Sequence, residues 1–208
     1  MLFAKDTRVY LASRSPRRRE LLRQIGVGYD YLPLREKMPR GPDVDESVLP
    51  GESPEVYVRR VSLAKANTGW TRVVERGLPR LPVLAADTTV CLGETIYGKP
   101  ADAADAARML AELSGTVHKV LSAVTLRFER SMETALSVST VRFRPLSEDD
   151  IRRYVDTGEP MDKAGAYGIQ GLAAVFIQEL QGSYTGVMGL PLFETAELLT
   201  RFSGAGTR

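Results

Sequence analysis

The sequence predicts an α/β protein whose strands form a mixed sheet. Short apolar segments of strand length alternate with longer segments of helical apolar spacing along the 208 residues. Two long strand segments, 117–128 and 134–143, follow each other with only a short turn between them, which is typical of an antiparallel hairpin. The sequence contains no internal repeat and no heptad pattern. The combination favours a mixed sheet over the regular parallel sheet of repeated βαβ units.

The first strand, turn and helix are predicted from local signals. Residues 8–12 are mostly apolar and suit a strand, and residues 13–16 form a turn. Ser15 suits the N-cap of a helix, Pro16 suits its first position, and Gly26 suits its C-cap. We therefore expect a strand that leads through a turn directly into the N-terminus of a helix.

The remaining elements follow from apolar spacing and further caps. Ser53 and Ser147 suit N-caps, and residues 69–82, which include the single tryptophan, Trp70, are predicted to be a polar connector. Residues 161–171 are rich in glycine and do not alternate. The predicted helices are 16–25, 54–67, 101–113, 148–155 and 191–202, and the predicted strands are 8–12, 29–34, 83–86, 117–128, 134–143 and 173–178.

Length and composition favour a single domain. With 43% hydrophobic and 26% charged residues, a chain of 208 residues can bury a core without metals or disulfides, and a wholly disordered chain is excluded. We expect one domain over residues 1–208, either as one body or as two lobes about one cleft, with a frayed tail at 203–208.

Composition also limits the location and the partners of the protein. The longest apolar run, 172–177, is far shorter than the about 20 residues of a membrane span, and no secretory signal is evident, so we expect a cytoplasmic protein that does not enter membranes. The net charge of +2 argues against nucleic acid as a partner. The single cysteine, Cys91, excludes an internal disulfide and a cysteine-based zinc site. We expect Cys91 to be a small buried residue. The single histidine, His118, has no nucleophile motif beside it, so we do not expect it to be catalytic.

The turn before the first helix is the first candidate site. The first turn of a helix carries unpaired N–H groups and partial positive charge, so it attracts anions. Here it also carries Arg17, Arg18 and Arg19, and Ser13 and Ser15 add hydroxyl donors. Steps of about 100° per residue allow Arg17 and Arg18 to face one ligand and turn Arg19 away. The pattern fits phosphate binding, and it equally fits an ordinary capped helix with a solvated arginine face.

Asp87 is the second candidate. It is predicted to end the buried strand 83–86, where a carboxylate is held rigidly beside a cleft. Such a carboxylate can bind Mg²⁺, activate a water molecule, or do both. The alternative is a carboxylate that caps the following turn.

Further charged residues are scattered along the chain. Lys65 lies on the second predicted helix, Lys99 lies between a glycine and a proline, and Lys163 opens the glycine-rich segment. Lysine neutralises phosphate as a point charge, and glycine lets the backbone approach a ligand. Glu46 belongs to an acidic pair in a proline-rich loop. Each residue alone is more often a surface charge, and neither a Walker A nor a dinucleotide-binding motif is present.

Taken together, these segments resemble the Maf-like family of nucleotide pyrophosphatases. They occur in the order typical of the family and cover roughly residues 9–200. The matching stretches are 12–18, 45–46, 64–66, 86–88, 98–100, 158–171 and 189–191.

The resemblance implies a fold, a reaction and a set of site residues. The fold is an elongated α/β architecture with a central cleft, similar to that of inosine-triphosphate pyrophosphatases. The reaction is hydrolysis of a nucleoside triphosphate to the monophosphate and pyrophosphate with a divalent metal, Mg²⁺, Mn²⁺ or Co²⁺, and a homodimer is also implied. Asp87 matches the proton acceptor of the family, and we expect it to hold the metal together with Glu46. The residues expected to bind the phosphates are Ser13, Ser15, Arg18, Lys65, Lys99 and Lys163, with Arg17 beside them.

Three positions distinguish the branches of the family. The branch that acts on dTTP and UTP carries Arg, Thr and Gln, as Arg17, Thr88 and Gln170 do here, whereas the 7-methyl-GTP branch carries Trp, Gln and Glu. A neutral Gln amide both donates and accepts, which matches the O4 and N3–H edge of uracil or thymine. The resemblance therefore favours dTTP and UTP, with modified pyrimidine nucleotides as further candidates. Hydrolysis of 7-methyl-GTP and a non-enzymatic role in cell division are the alternatives.

Overall fold

The computed structural model describes residues 3, 7–35 and 41–205. Within these ranges the chain alternates between strands and helices and also contains short 3₁₀ turns, at Glu159–Asp162, Ala164–Ala166 and Leu172–Phe176. The strands are β1 (Arg8–Leu11), β2 (Gly28–Tyr31), β3 (Val83–Leu92), β4 (Thr95–Tyr97), β5 (Val117–Phe128), β6 (Ser131–Phe143) and β7 (Ile177–Gln181). The helices are α1 (Pro16–Gln24), α2 (Pro54–Glu75), α3 (Ala103–Leu113), α4 (Glu148–Asp156), α5 (Tyr184–Met188) and α6 (Leu192–Ala205).

The described strands form one mixed sheet, which confirms the predicted fold class. The strand order is β2-β1-β3-β5-β6-β7, and β4 pairs with β3 beside this path. β1 runs parallel to both β2 and β3, whereas β5, β6 and β7 pair antiparallel with their neighbours. The predicted hairpin of β5 and β6 is present, and its last pair is Phe128 with Ser131.

Successive residues of β3 face opposite sides of the sheet, because side chains alternate along a strand. Leu84 and Ala86 pack in the cluster that contains Leu22 of α1 and Leu198 of α6. The intervening Ala85 packs on the other side, in the cluster formed with α2. By the same alternation, Asp87 lies on the face of the sheet that packs against α2, and its neighbour Thr88 lies on the face that packs against α1. These two residues of the candidate site are therefore on opposite faces.

The predicted polar connector at 69–82 is wrong in its bounds, because the helix predicted to end at residue 67 continues to Glu75 and only residues 76–82 connect α2 to β3. Trp70 is buried in this helix, and its ring meets Phe128 edge-on at 5.6 Å between centroids. Gly69 explains the close approach of the helix to the sheet. A Cβ atom at this position would lie 2.8 Å from Cγ1 of Val83. Packing thus requires glycine at this position, although glycine lowers the helix propensity.

The predicted strand 173–178 is also wrong in its bounds. Residues 172–176 form a 3₁₀ turn, and the strand is β7, at 177–181. Ala173 and Phe176 are both buried three residues apart, which suits a 3₁₀ turn, and a short apolar run does not by itself distinguish a strand from a helical turn. Helix α5 was not predicted.

Helix α6 extends to Ala205, so it includes the first three residues of the tail that was expected to be frayed, while residues 206–208 lie outside the described residues. No helix within the described ranges is both long enough and apolar enough to cross a membrane.

Candidate functional site

A gap along one edge of β3 opens the candidate site. β1 pairs with this strand only at Val83 and Leu84, and β4 pairs with it only from Val90 onward. Among the described residues, no strand covers this edge between those two pairings. Asp87 lies in the gap, in the middle of β3, so its predicted position at a strand end is wrong. The cleft arises because the neighbouring strand ends, since the chain leaves β1 and enters α1.

The gap leads into a cleft of about 490 Å³. Every residue that the sequence assigned to the site lines this cleft, although these residues come from six separate stretches of the chain. They are Ser13, Ser15, Arg17, Arg18, Glu46, Lys65, Asp87, Thr88, Lys99, Lys163 and Gln170.

Lys65 of α2 pairs with two carboxylates on the α2 side of the cleft. Its Nζ lies 2.7 Å from Oδ1 of Asp87 and 3.0 Å from Oε1 of Glu46. The side chains of Asp87 and Lys65 are 9% and 14% exposed, whereas that of Glu46 is 42% exposed. A buried carboxylate needs a partner of opposite charge, and Lys65 supplies it. The hydroxyl of Tyr57 donates to the backbone carbonyl of Glu46 at 3.0 Å and holds the acidic loop against α2.

The same three groups determine which metal chemistry the site suits. The two carboxylates exceed the single ammonium by one negative charge, so a further cation would be attracted. The described residues contain no cluster of three or more His, Cys, Asp or Glu side chains that would enclose a metal by themselves. Mg²⁺ typically binds one or two carboxylates and completes its shell with water and substrate phosphates. Glu46 and Asp87 fit that donor set.

Helix α1 begins as the sequence predicts. Ser15 is the N-cap and its hydroxyl oxygen accepts from the backbone N–H of Arg18, with Pro16 in the first turn. The hydroxyl oxygen of Ser13 accepts from the backbone N–H of Ser15 at 3.2 Å. Each hydroxyl accepts in these contacts and still has its own proton to donate. Arg19 turns away and lies over the ring of Tyr31, as the helical spacing predicted.

Arg18 is held by three separate parts of the chain. Its guanidinium donates to the backbone carbonyl of Gly189 at 2.7 Å, to Oγ of Ser13 at 3.1 Å and to Oγ1 of Thr88 at 3.3 Å. Oγ1 of Thr88 also lies 2.8 Å from Oγ of Ser122 on β5. Arg18 thus fixes the wall of the cleft on the α1 side, and Thr88 belongs to the same network.

Arg17 meets the glycine-rich segment through a residue that the sequence did not single out. Its Nη1 lies 3.1 Å from Oδ2 of Asp162, and Oδ1 of Asp162 lies 2.7 Å from Nζ of Lys163. Burial acts to raise the pKa of Asp162, but the hydrogen bond from Lys163 and the charge of Arg17 outweigh it, so this pKa lies below its usual value. The acidic residue directly before Lys163 was the only local signal.

The glycine-rich segment reaches the cleft because its backbone packs closely against β3 and β4. Gly165 has a positive φ of 68°, and a Cβ atom there would lie 2.8 Å from Val90. Its N–H donates to the carbonyl of Gly98 at 3.0 Å, which brings the segment beside Lys99. Gln170, farther along the segment, is exposed and lines the cleft.

Cys91 is a core residue, as predicted, and the structure places His118 in the core as well. His118 is 1% exposed, and its Nε2 lies 2.8 Å from the hydroxyl of Tyr167. Burial lowers the pKa of His118 to about 4, so the ring is neutral at physiological pH. Burial raises the pKa of the Cys91 thiol. Neither residue lines the cleft.

The fold and the cleft define a class of protein. Among the described residues, seven basic side chains line the cleft against three acidic ones, and two of those acids suit a divalent metal. This is a mixed α/β protein with a cleft for a polyanionic ligand. Its basic lining residues are Arg14, Arg17, Arg18, Arg35, Lys65, Lys99 and Lys163.

The chain belongs to the Maf-like protein family, whose model matches residues 8–202. Among its relatives is a dTTP/UTP pyrophosphatase of Aromatoleum aromaticum, 59% identical over 95% of this chain and 96% of the relative. A dTTP/UTP pyrophosphatase of Cupriavidus metallidurans is 58% identical over 92% of this chain and 94% of the relative. A dTTP/UTP pyrophosphatase of Nitrosospira multiformis is 56% identical over 93% of this chain and 94% of the relative.

Proposed function

We propose that this protein is a nucleotide pyrophosphatase that hydrolyses dTTP and UTP to the nucleoside monophosphate and pyrophosphate. The observation that carries the proposal is the meeting in one cleft of the Lys65–Asp87–Glu46 group with Arg17, Thr88 and Gln170. The names and the high identity of the relatives support the same substrates.

Asp87 acts as the proton acceptor in this proposal. The oxygen of a water molecule bonds to the α-phosphorus, the bond from that phosphorus to the bridging oxygen breaks, pyrophosphate leaves, and the proton of the water passes to the carboxylate of Asp87. Lys65 holds that carboxylate at 2.7 Å and limits its motion. Proton transfer to a positioned carboxylate typically contributes about 10²–10⁴-fold to a rate.

Basic side chains on several elements bind the triphosphate. Positioning and charge neutralisation supply most of the rate in phosphoryl chemistry. Arg17 and Lys163 both pair with Asp162, and in this proposal phosphate oxygens compete with that carboxylate for the two cations. The phosphate-binding residues are Ser13, Ser15, Arg17, Arg18, Lys65, Lys99 and Lys163.

A divalent cation, Mg²⁺, Mn²⁺ or Co²⁺, belongs to the proposal. Glu46 and Asp87 would hold it, and when bound it neutralises charge on the phosphates.

Selectivity for the base rests on Arg17, Thr88 and Gln170. The amide of Gln170 donates and accepts in the pattern that the O4 and N3–H edge of uracil or thymine requires. Modified pyrimidine nucleotides with the same edge are further candidate substrates.

A panel of nucleoside triphosphates tests the proposal. The panel contains dTTP, UTP, dCTP, dATP, dGTP and 7-methyl-GTP, each with Mg²⁺, Mn²⁺ and Co²⁺, and pyrophosphate and orthophosphate are measured separately. We expect pyrophosphate as the first product and the highest kcat/KM for dTTP and UTP. Equal turnover of all nucleotides would refute the selectivity, and preferred turnover of 7-methyl-GTP would support the other branch. Orthophosphate as the first product would refute the reaction.

The remaining expectations extend the same proposal. We propose a single-domain cytoplasmic enzyme that acts as a homodimer, and sedimentation velocity of the purified protein tests the oligomeric state. A non-enzymatic role in cell division requires that the Asp87→Asn protein keep its cellular effect, so complementation with that variant separates the two roles.

A further inference from the structure

A buried tyrosine and a glutamate lie at the base of the glycine-rich segment. Tyr154 of α4 is 4% exposed, and its hydroxyl donates to Oε1 of Glu159 at 2.9 Å. Burial raises the pKa of Tyr154, and the neighbouring Glu159 raises it further, so the hydroxyl stays protonated and remains a donor. Neither residue lines the cleft.

The pair binds the backbone on both sides of Gln170. The N–H of Gly168 donates to the hydroxyl oxygen of Tyr154 at 3.4 Å, and the N–H of Leu172 donates to Oε2 of Glu159 at 3.0 Å. Between these two contacts, the N–H of residue 171 donates to the carbonyl of Gly168 at 3.0 Å and closes the turn. Gln170 is therefore presented to the cleft by a turn that is held at both ends.

The two glycines of the turn show how closely it packs. A Cβ atom at Gly171 would lie 2.2 Å from Oε1 of Glu159, and one at Gly168 would lie 2.6 Å from Cε of Lys163. The Nζ of Lys163 donates to the backbone carbonyl of Glu159 at 2.6 Å. The turn thus rests directly on Glu159 and on the stem of Lys163, and a side chain at either glycine would displace the end of one of these two side chains.

We propose that Tyr154 and Glu159 are positioning residues that set the selectivity for the base by fixing the turn that carries Gln170. This inference rests on the proposed function, because it assumes that Gln170 reads the base. Neither residue touches the reacting groups, so they act through Gln170.

The choice between bases depends on how the amide of Gln170 meets the edge of the base. A Gln side chain can rotate by half a turn and exchange its donor and its acceptor. One orientation matches thymine or uracil, and the other matches cytosine, which presents an amino donor and a ring-nitrogen acceptor. Rotation of the amide does not move the backbone, so the backbone below Gln170 sets where the amide meets the base and not which way it faces. A shift of that backbone would weaken the hydrogen bonds to the preferred base, and the loss of one such bond changes affinity about tenfold.

Kinetics of single and double variants test the proposal. In Tyr154→Phe we expect the ratio of kcat/KM for dTTP over dCTP to fall by about tenfold, mainly through a higher KM for dTTP. Glu159→Gln keeps the shape and one acceptor, so its ratio should fall less than that of Glu159→Ala. In a Gln170→Ala background, Tyr154→Phe should leave the ratio unchanged, since the group that it positions is absent.

Tyr97→Phe is the matched control. Tyr97 is also 4% exposed and belongs to the same core cluster, but its hydroxyl donates to Glu112 at 2.7 Å and not to a group of the turn. Removing this hydroxyl costs a comparable buried hydrogen bond, so the control reports general destabilisation. We expect its dTTP over dCTP ratio to equal that of the wild type.

Amide hydrogen exchange gives a readout that needs no substrate. In Tyr154→Phe and Glu159→Ala the amides of Gly168 and Leu172 should exchange faster than in the wild type and in Tyr97→Phe. Unchanged exchange would overturn the positioning role, whatever the substrate. Faster exchange with an unchanged ratio of kcat/KM for dTTP over dCTP would overturn the role in selectivity. Additive effects on this ratio in the double variant would do the same, and in both cases hydrolysis of dTTP stands. An unchanged ratio in Gln170→Ala alone would overturn both this inference and the assignment of Gln170.

Discussion

The Nζ atom of Lys65 lies 2.7 Å from Oδ1 of Asp87, and this pair joins helix α2 to the uncovered edge of β3. Both side chains are largely buried, although they line a cleft. The contact gives the carboxylate a fixed direction and compensates its charge. The pair therefore serves both the stability of the protein and the proposed chemistry, and the two effects can be separated by substitution.

Asp87→Asn should lower kcat by about 10²–10⁴-fold, because an amide keeps the shape of the side chain and cannot accept the proton. Steady-state kinetics with dTTP measures the change. Glu52→Gln is the control, since Glu52 is a buried carboxylate paired with Arg60 and does not line the cleft. Turnover of Asp87→Asn near that of the wild type would exclude Asp87 as the proton acceptor.

Lys65→Met should lower the free energy of unfolding by about 3 kcal/mol, because it leaves the buried carboxylate of Asp87 without a partner. The double variant Lys65→Met with Asp87→Asn removes both charges and should recover most of that loss, although it stays inactive. Urea denaturation of the two single variants and of the double variant measures the cycle. Additive losses of stability would contradict the direct pairing.

Glu46→Gln should raise the Mg²⁺ concentration that gives half-maximal activity by about 10–100-fold, because one of the two proposed metal ligands loses its charge. Titration of activity with Mg²⁺ after chelator treatment measures this concentration. Glu55→Gln, an exposed acid on the same helix that Lys65 occupies, is the control for surface charge. An unchanged Mg²⁺ dependence in Glu46→Gln would remove this residue from the metal site.

His118 should make stability fall as the solution is acidified. Its pKa is lowered from 6.5 to about 4 by burial, so the unfolded chain binds more protons than the folded protein between these values. The contribution is complete above pH 6.5 and decreases toward pH 4, by up to about 3 kcal/mol. Urea denaturation at pH 7.5, 5.5 and 4.5 gives the free energy of unfolding at each pH. The slope of this free energy against pH should be smaller in His118→Asn than in the wild type. Equal slopes in the two proteins would contradict burial of a neutral ring.

Gly69→Ala should lower the free energy of unfolding by about 1–3 kcal/mol, although alanine favours a helix by about 1 kcal/mol. The added Cβ would lie 2.8 Å from Val83, so the helix or the sheet must shift. Thr71→Ala on the exposed side of the same helix is the control and should be neutral or slightly stabilising. Thermal unfolding of both variants measures the difference, and a stabilised Gly69→Ala would contradict the close packing.

The sequence by itself determined the features that depend on neighbouring residues. Ser15 and Ser147 were recognisable as helix caps, since a cap bonds to N–H groups within three residues. The hairpin of β5 and β6 followed from two apolar runs around a short turn. The members of the cleft could be listed from their order and residue types, because the matching stretches of the family are themselves local motifs.

Only the tertiary structure decided how distant stretches meet. The open edge at Asp87 depends on where β1 and β4 end, and no feature of residues 83–92 records this. Asp162 joins Arg17 across 145 positions of sequence, and Tyr154 and Glu159 support Gln170 through backbone groups that any residue possesses. The physical reason is that periodicity and caps describe interactions within a few residues. The placement of charges around the cleft results instead from the packing of the whole sheet and its helices.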